Sequence, residues 1–289
     1  MKVLIGCPRS RVLAKKLAKK TNIPYSELKV SQFPDGELLV KYSVDLAKKH
    51  VILVSSMYPN PTEALLELHF AIQTAKDLRA RRITVITPYL GFMRQDKRFH
   101  SGESVSNKIM ADLLGSANKI ITIDPHLHRV HHMSELFGKS GKSLTANKTL
   151  ADWIKKKVKK PLLIGPDEES YQWARGIAKH AGTKDVCVLK KKRYSSRKVK
   201  IVIPESVDVK GRNVVLVDDI ISTGHTMIEP IKQLKRRGAN TITCVCVHGI
   251  FAERALFKLQ KLGVKVVCSN TIKTSVSNID ITSLLEAVI

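Results

Sequence analysis

Short apolar runs rich in β-branched residues alternate with amphipathic stretches along the whole chain. The runs predict strands near residues 3–6, 51–55, 83–87, 119–123, 161–165, 185–189, 213–218, 241–247 and 264–268. Helices are expected to fill most of the gaps between them. Because strand, helix and strand in repeated order build parallel sheets with right-handed crossovers, the pattern predicts an α/β fold.

Two of the amphipathic stretches have recognisable ends. One follows Pro61, with Thr62 as the expected N-cap. Its apolar residues at helical spacing are Leu65, Leu68, Ile72, Ala75 and Leu78. The other helix is expected to follow Gly224 and to end at Gly238. Its apolar face carries Met227, Ile228, Ile231 and Leu234.

The length of the chain, 289 residues, exceeds what one hydrophobic core usually organises, so we expect two domains. The best candidate boundary is the segment 138–143, which is rich in Gly, Ser and Lys and poor in apolar residues. It divides the chain into residues 1–143 and 144–289, and both parts show the strand–helix alternation. A second irregular segment, Lys190 to Lys198, predicts an exposed mobile loop.

Composition narrows the class of protein. No stretch of about 20 apolar residues could span a bilayer, and the first residues run into a predicted strand without the features of a signal peptide. We therefore expect a cytoplasmic protein. The five cysteines form no C-x-x-C pair and lie in or beside apolar runs, which predicts reduced core thiols.

The net charge of +25 is the unusual bulk property. It is typical either of a nucleic-acid binder or of a lysine-coated protein with a pocket for anionic substrates. The lysines form short clusters spread over several predicted helices, with few aromatic residues beside them. Nucleic-acid binders usually gather charge on one face, so the second interpretation is favoured and nucleic acid is not expected as a partner.

The strongest chemical motif lies in residues 214–226. A fully apolar strand runs into two adjacent carboxylates, Asp218 and Asp219, and then into a short loop that opens a helix. The loop residues are Ser222, Thr223, Gly224, His225 and Thr226. Ligands of open α/β sheets bind at this end of the strands; backbone N–H groups at the helix start would hold a phosphate, and the carboxylates could bind ribose hydroxyls. The alternative is a buried strand followed by an acidic N-cap.

This segment resembles the phosphoribosyl-pyrophosphate signature of phosphoribosyltransferases and of ribose-phosphate pyrophosphokinases. Three further segments, 33–37, 89–97 and 124–126, resemble the nucleotide-binding turn, the second ATP-contacting loop and the metal-binding turn of the pyrophosphokinases. The resemblance continues to the C-terminus and so covers essentially the whole chain, in the compact archaeal-type form. It implies two phosphoribosyltransferase-type domains, each a mainly parallel sheet flanked by helices.

The resemblance implies a reaction and its ligands. ATP would donate a pyrophosphoryl group to the 1-hydroxyl of ribose 5-phosphate, with Mg²⁺ as cofactor, for nucleotide biosynthesis. The ATP contacts implied are Phe33, Asp35, Gly36, Glu37, Arg94 and Gln95. The ribose 5-phosphate contacts implied are Arg193, Asp218, Asp219 and residues 222–226. The dipeptide Asp35-Gly36 also favours a plain hairpin turn, and both interpretations can hold together.

Metal binding is implied for His126, Asp124 and Asp167. Residues 124–132 contain four of the ten histidines, which alone could indicate zinc, but no cysteine or second helical histidine pair supports that interpretation. Mg²⁺ prefers oxygen ligands, so a histidine would be an unusual partner that acts through water or with the nucleotide bound.

Two cations match the catalytic pair of the family, Lys191 and Arg193. Displacement at the β-phosphorus builds negative charge that preorganised cations stabilise. Three consecutive lysines leave the register open by one residue, with Lys190 as the other candidate. A solvated basic loop is the alternative.

Other functions on the same fold stay open. They are a phosphoribosyltransferase that consumes the product, a non-catalytic regulatory homologue and an RNA-binding protein. His225 departs from the family pattern, because a small residue is usual at that position of the phosphate loop. Family members associate, so we expect a homo-oligomer of at least two copies.

Overall fold

The computed structural model describes residues 1–127, 129–166, 170–195, 198–204 and 206–289. The chain forms two compact units. The first comprises residues 1–145 together with 271–273 and 282–289, and the second comprises residues 146–270 and 274–281. Within the described ranges, no helix is both long enough and apolar enough to cross a membrane.

The first unit is built on a seven-stranded sheet. Its strands are Lys2–Gly6 (β1), Tyr25–Gln32 (β2), Leu38–Tyr42 (β3), His50–Val54 (β4), Arg82–Thr87 (β5), Lys119–Ile123 (β6) and Gly141–Leu144 (β7). Their order is β3-β2-β1-β4-β5-β6-β7. Only the β2–β3 pair is antiparallel. The helices are Arg11–Thr21 (α1), Pro61–Asp77 (α2), Ser106–Leu114 (α3) and Ser134–Phe137 (α4).

The second unit has a six-stranded sheet and a separate ribbon. Its strands are Pro161–Gly165 (β8), Val186–Val188 (β9), Lys190–Ser195 (β10), Lys198–Val202 (β11), Asn213–Ile221 (β12), Thr241–Gly249 (β13), Lys265–Ser269 (β14) and Ser277–Ile279 (β15). The sheet order is β15-β14-β13-β12-β8-β9, all parallel, while β10 and β11 pair with each other. The helices are Asn147–Lys157 (α5), Tyr171–Ala181 (α6), His225–Arg236 (α7) and Ala255–Lys261 (α8). Helix Thr282–Glu286 (α9) belongs to the first unit.

The hydrophobic pattern explains the parallel strands. Residues 51–54 and 214–217 are fully buried, because helices cover both faces of a parallel sheet. Every run predicted as a strand forms one, and the predicted α/β fold is confirmed. All five cysteines are free, as predicted; four of them are buried and Cys187 is half-buried. Burial raises the pKa of Cys7 and of Cys244 to about 12.

Local predictions were wrong in three places. The N-cap of α2 is Asn60 rather than Thr62, since Pro61 occupies the first turn, where a missing N–H costs no hydrogen bond. Leu78 lies just beyond that helix and is 45% exposed. The segment from Lys190, expected to be an irregular loop, pairs as strands β10 and β11. Cross-strand pairing outweighs the low apolar content there, as it does in β7, which overlaps the expected boundary segment 138–143.

Candidate functional site

Two acidic residues stand near the end of β12. The strand runs to Ile221, three residues beyond its predicted end, so the carboxylates lie inside it. Asp218 and Asp219 are only 9% and 3% exposed. The N–H of Asp219 donates to Oδ1 of Asp218 at 3.1 Å, and the N–H of Ile220 donates to Oδ1 of Asp219 at 2.8 Å. These hydrogen bonds hold each carboxylate against the backbone at the ligand-binding end of the sheet.

The loop after β12 presents backbone donors. None of the N–H groups of residues 222–226 has a hydrogen-bond acceptor in the part of the chain that the structure describes. Gly224 caps α7 with φ +77°, and its carbonyl accepts the N–H groups of Met227 and Ile228, both at 3.0 Å. Free N–H groups at the positive end of a helix dipole form a site for an anion such as phosphate.

The helix behind this loop is anchored in the core. Met227, Ile231 and Leu234 are fully buried, so α7 cannot shift without disturbing the packing. The predicted helix from Gly224 to the turn at Gly238 is therefore confirmed. His225 is exposed, and its Nδ1 lies 2.9 Å from the Thr223 hydroxyl. The histidine at position 225, where the family usually has a small residue, thus leaves the backbone N–H available.

The two predicted catalytic cations lie on β10. Lys191 pairs with Ile201 and Arg193 with Val199 across the ribbon. The side chains of residues 190–195 lie outside the described part of the chain, so the choice between Lys190 and Lys191 stays a prediction. Residues 191 and 193 stand two positions apart, which is the repeat of a β-strand.

In the first unit, the predicted motif 89–97 contacts the segment that follows the predicted motif 124–126, beyond the carboxyl ends of β5 and β6. Asp96, in the loop after β5, accepts a hydrogen bond from the side chain of Arg129 at 2.9 Å and another from its N–H at 3.3 Å. Burial of Asp96 raises the pKa of its carboxyl, but the hydrogen bonds and charge of Arg129 outweigh it and the net pKa is lowered. The predicted ATP-contacting loop is thereby tied to the segment that follows the predicted metal-binding turn.

Glu103 organises the same loop and was not predicted. Its Oε2 accepts hydrogen bonds from Gln95 Nε2 at 3.0 Å, from the N–H of Phe99 at 2.8 Å and from the N–H of His100 at 3.1 Å. Gln95 is half-buried, whereas Arg94 is exposed and has no carboxylate partner in the described ranges. The loop therefore presents a fixed amide beside a cation that is free to meet phosphate.

The predicted metal ligands lie after β6. Asp124 is 8% exposed, has φ +36° and donates its N–H to the carbonyl of Leu144 at 2.8 Å. His126 is half-buried two residues later, and Asp167 lies outside the described residues. Among those residues, no group of three or more His, Cys, Asp or Glu side chains is placed to hold a metal ion. Asp124 and His126 could supply part of a metal site, with ligand oxygens supplying the rest.

The turn 33–37 is a β-hairpin turn, as the sequence predicts. Phe33 and Gly36 form backbone hydrogen bonds across it, and Oδ1 of Asp35 accepts the N–H of Glu37 at 3.1 Å. Gly36 has φ +92°, a conformation that favours glycine. The turn is exposed, and it borders a cleft of about 1000 Å³ that the exposed Leu66 also lines. Within the described residues, no hydrogen bond joins this turn to Arg94 or Gln95.

Comparisons with known proteins agree over the whole chain. The family model of the N-terminal domain of ribose phosphate pyrophosphokinase matches residues 2–118, and that of the phosphoribosyl transferase domain matches residues 136–284. The chain is 35% identical over 285 residues to ribose-phosphate pyrophosphokinase 2 of Archaeoglobus fulgidus, which covers 98% of each chain. It is 35% identical over 289 residues to the ribose-phosphate pyrophosphokinase of Methanothermobacter thermautotrophicus, with 99% of each covered.

One solved structure has the same fold over nearly the full length. Phosphoribosylpyrophosphate synthetase from Mycobacterium smegmatis matches with a TM-score of 0.86 at 24% sequence identity, covering 99% of this chain and 97% of that one. At this level of identity the likeness concerns the fold.

Proposed function

The chain belongs to the ribose-phosphate pyrophosphokinase family, and on that premise we propose that it transfers the pyrophosphoryl group of ATP to the 1-hydroxyl of ribose 5-phosphate. The products are phosphoribosyl pyrophosphate and AMP. The observation that carries the proposal is the loop 222–226, where N–H groups that have no acceptor among the described residues follow two buried carboxylates. A ligand that joins a phosphate to vicinal hydroxyls suits both parts of this arrangement.

Each group has a role in the proposed mechanism. The N–H groups of residues 222–226 hold the 5-phosphate, and Asp218 and Asp219 accept hydrogen bonds from the ribose hydroxyls. The 1-hydroxyl oxygen attacks the β-phosphorus, its bond to phosphorus forms as the α–β bridging P–O bond breaks, and AMP carries away that bridging oxygen. The hydroxyl proton passes to solvent. Positioning and charge neutralisation supply most of the catalysis in such transfers.

Cations meet the charge that develops on the phosphate oxygens. We assign this role to Lys191 and Arg193, with Arg94 and Gln95 on the nucleotide and the turn 33–37 as a further ATP contact. The nucleotide motifs fall in residues 1–143, and the sugar-phosphate motif and the cations fall in residues 144–289. The homo-oligomer and the cytoplasmic location stay predictions.

The proposed cofactor is Mg²⁺, held by Asp124 and His126 with Asp167. These residues suit Mg²⁺ because of the ligand atoms they offer. The buried carboxylate of Asp124 stands at a strand end, and nucleotide phosphates would supply the further oxygens that Mg²⁺ prefers. When bound, the ion would neutralise charge on the β- and γ-phosphates.

The direct test is AMP formation by the purified protein. ATP, ribose 5-phosphate and MgCl₂ are supplied together and then omitted one at a time, with both products quantified by chromatography. AMP and phosphoribosyl pyrophosphate are expected in equal amounts and only from the complete mixture. AMP formed without ribose 5-phosphate would indicate a hydrolase, and no AMP from folded, ATP-binding protein would indicate the regulatory homologue.

A further inference from the structure

A lysine-rich cleft of about 800 Å³ opens at the amino-terminal ends of the strands of the second sheet, opposite the end that carries the loop 222–226. It is lined by the starts of β12, β13 and β14 and by the ends of α5 and α7. The loop 222–226 lies at the opposite end of β12, whose nine residues span roughly 26 Å at about 3.3 Å per residue. The cleft is therefore separate from the proposed sugar-phosphate site.

Four ammonium groups surround the cleft, and no carboxylate of the described residues lines it. The four residues are Lys157, Lys159, Lys235 and Lys265. In the described part of the chain, none of them forms an ion pair. The Nζ of Lys265 lies 5.1 Å from the centre of the Trp153 ring, and a Cβ added to Gly263 would meet the Nζ of Lys235 at 3.4 Å.

The polar floor of the cleft is fixed by hydrogen bonds. Oδ1 of Asn213 accepts from Nδ2 of Asn240 and from Oγ1 of Thr241, each at 2.9 Å. Nδ2 of Asn213 donates to the carbonyl of Lys159 at 2.9 Å. These bonds tie together the segments that begin β8, β12 and β13, so the cleft is preorganised.

Helix capping does not account for all of this charge. The ends of α5 and α7 lie beside the cleft, and each helix end carries about half a negative elementary charge. Four ammonium groups leave a clear positive surplus after both helix ends are neutralised.

We propose that this cleft binds a compact oligophosphate, an anion with two or more linked phosphate groups. Each phosphate group brings about −1.5 to −2 charges. A single phosphate would therefore leave part of the positive charge of the cleft unbalanced, whereas two or three linked phosphates would balance it. The ligand could be free polyphosphate or the phosphate chain of a nucleotide, since both present the same chemistry. An extended nucleic acid fits less well, because the four cations surround a concave pocket. The proposal is independent of the proposed reaction.

Trp153 provides a local reporter. The chain has two tryptophans, so Trp173→Phe leaves Trp153 alone, with the Lys265 ammonium above its ring. Titration with sodium tripolyphosphate should draw Lys265 towards the anion and change the Trp153 fluorescence in a saturable way. Orthophosphate should bind at least tenfold more weakly.

Matched variants separate the cleft from general charge. Lys157→Gln, Lys235→Gln and Lys265→Gln combined should weaken tripolyphosphate binding at least tenfold by calorimetry. The control removes the same charge from three exposed lysines outside the cleft, Lys76, Lys139 and Lys179, and should change affinity less than twofold. If the cleft triple does not fold, Lys265→Glu alone replaces it, with several-fold weakening expected.

The remaining outcomes are also decisive. Equal weakening by both triples would overturn the proposal in favour of diffuse surface charge. Calorimetric binding without a change in Trp153 fluorescence would place the anion elsewhere. Tighter binding of a 20-nucleotide single strand than of tripolyphosphate, lost in the cleft triple alone, would replace the oligophosphate with nucleic acid. With Trp153 fluorescence as the readout, binding of ATP as tight as that of tripolyphosphate supports the proposal without recognition of the nucleoside, and tighter binding of ATP supports it with recognition.

Discussion

The loop 222–226 of the second unit and the segment 94–103 of the first both carry hydrogen-bond donors that we assign to phosphate, but they are held in different ways. The loop offers backbone N–H groups fixed between a buried strand and a helix whose inner face is fully buried. The segment offers the side chains of Arg94 and Gln95, and a single carboxylate, Glu103, holds it through three hydrogen bonds.

The difference predicts how each site responds to change. Geometry that the core imposes is lost only when the backbone or a buried charge is altered, and the loss is then large. Geometry that one half-buried side chain imposes is lost gradually, with substitution or with pH. We therefore expect substitutions in the proposed sugar-phosphate site to reduce activity strongly, and substitutions in the segment 94–103 to reduce it moderately.

The largest effect is expected at Asp219. The substitution Asp219→Asn keeps the shape and the acceptor for the N–H of Ile220, but it removes the charge that would bind ribose hydroxyls. We expect kcat/KM for ribose 5-phosphate to fall about 100-fold or more, equivalent to about 3 kcal/mol. The AMP assay measures it. Asp208→Asn removes the same charge from an exposed residue of the second unit and should leave kcat/KM unchanged. A fall below threefold in Asp219→Asn would contradict the assignment.

A smaller effect is expected at Gly224, and a second glycine provides the control. Gly224→Ala places a side chain at φ +77°, with its Cβ 3.4 Å from that of Ala255, at the cap of the phosphate loop. The left-handed conformation should cost about 1–2 kcal/mol of unfolding free energy, and the KM for ribose 5-phosphate should rise about tenfold. Gly182→Ala has a similar strain, at φ +69°, with open space around it.

The two glycine variants together test the backbone interpretation. Urea unfolding should show a similar loss of stability in both, while only Gly224→Ala raises the KM. An unchanged KM in Gly224→Ala would indicate that the loop 222–226 does not hold the phosphate.

Contiguous features of the fold and site could be predicted from the sequence. Strands such as β4 and β12 are continuous apolar runs because both faces are buried, and the loop 222–226 follows one of them directly. Strands β2 and β3 form an antiparallel hairpin with many exposed positions, so no apolar run marks them. β7 contains Lys142 and Ser143 and forms only because β6 pairs with it.

Contacts between separated residues could not be predicted. Glu103 meets Gln95 across 8 residues, and Arg129 meets Asp96 across 33. The path of an irregular loop sets both contacts, and no periodicity encodes such a path. The cleft lysines come from three separate segments for the same reason.

A moderate effect on activity is expected when Glu103 of the segment 94–103 is substituted. Glu103→Ala removes the acceptor of three hydrogen bonds, so Gln95 and the backbone near Phe99 and His100 lose their fixed positions. We expect the KM for ATP to rise about fivefold and the KM for ribose 5-phosphate to stay within twofold, because the charge-assisted bonds order only this segment. Asp45→Ala removes a comparable exposed acceptor and should change neither KM. A larger change in the ribose 5-phosphate KM than in the ATP KM would contradict this division.

The smallest effect is the pH dependence that Glu103 adds to stability. The N–H groups of His100 and Phe99, in that order, together with Gln95, lower the pKa of its carboxyl below the ordinary value of about 4.5. A carboxyl whose pKa is lower in the folded state stabilises the fold fully above its unfolded pKa, and this contribution disappears as the pH falls through the folded one. Wild type should therefore be more stable than Glu103→Gln at pH 6, and the difference should shrink as the pH falls below about 4.5 and vanish once the pH has passed the lowered pKa of the folded state. Urea unfolding across this range measures the difference, and a constant difference would show that the carboxylate charge does not hold the segment.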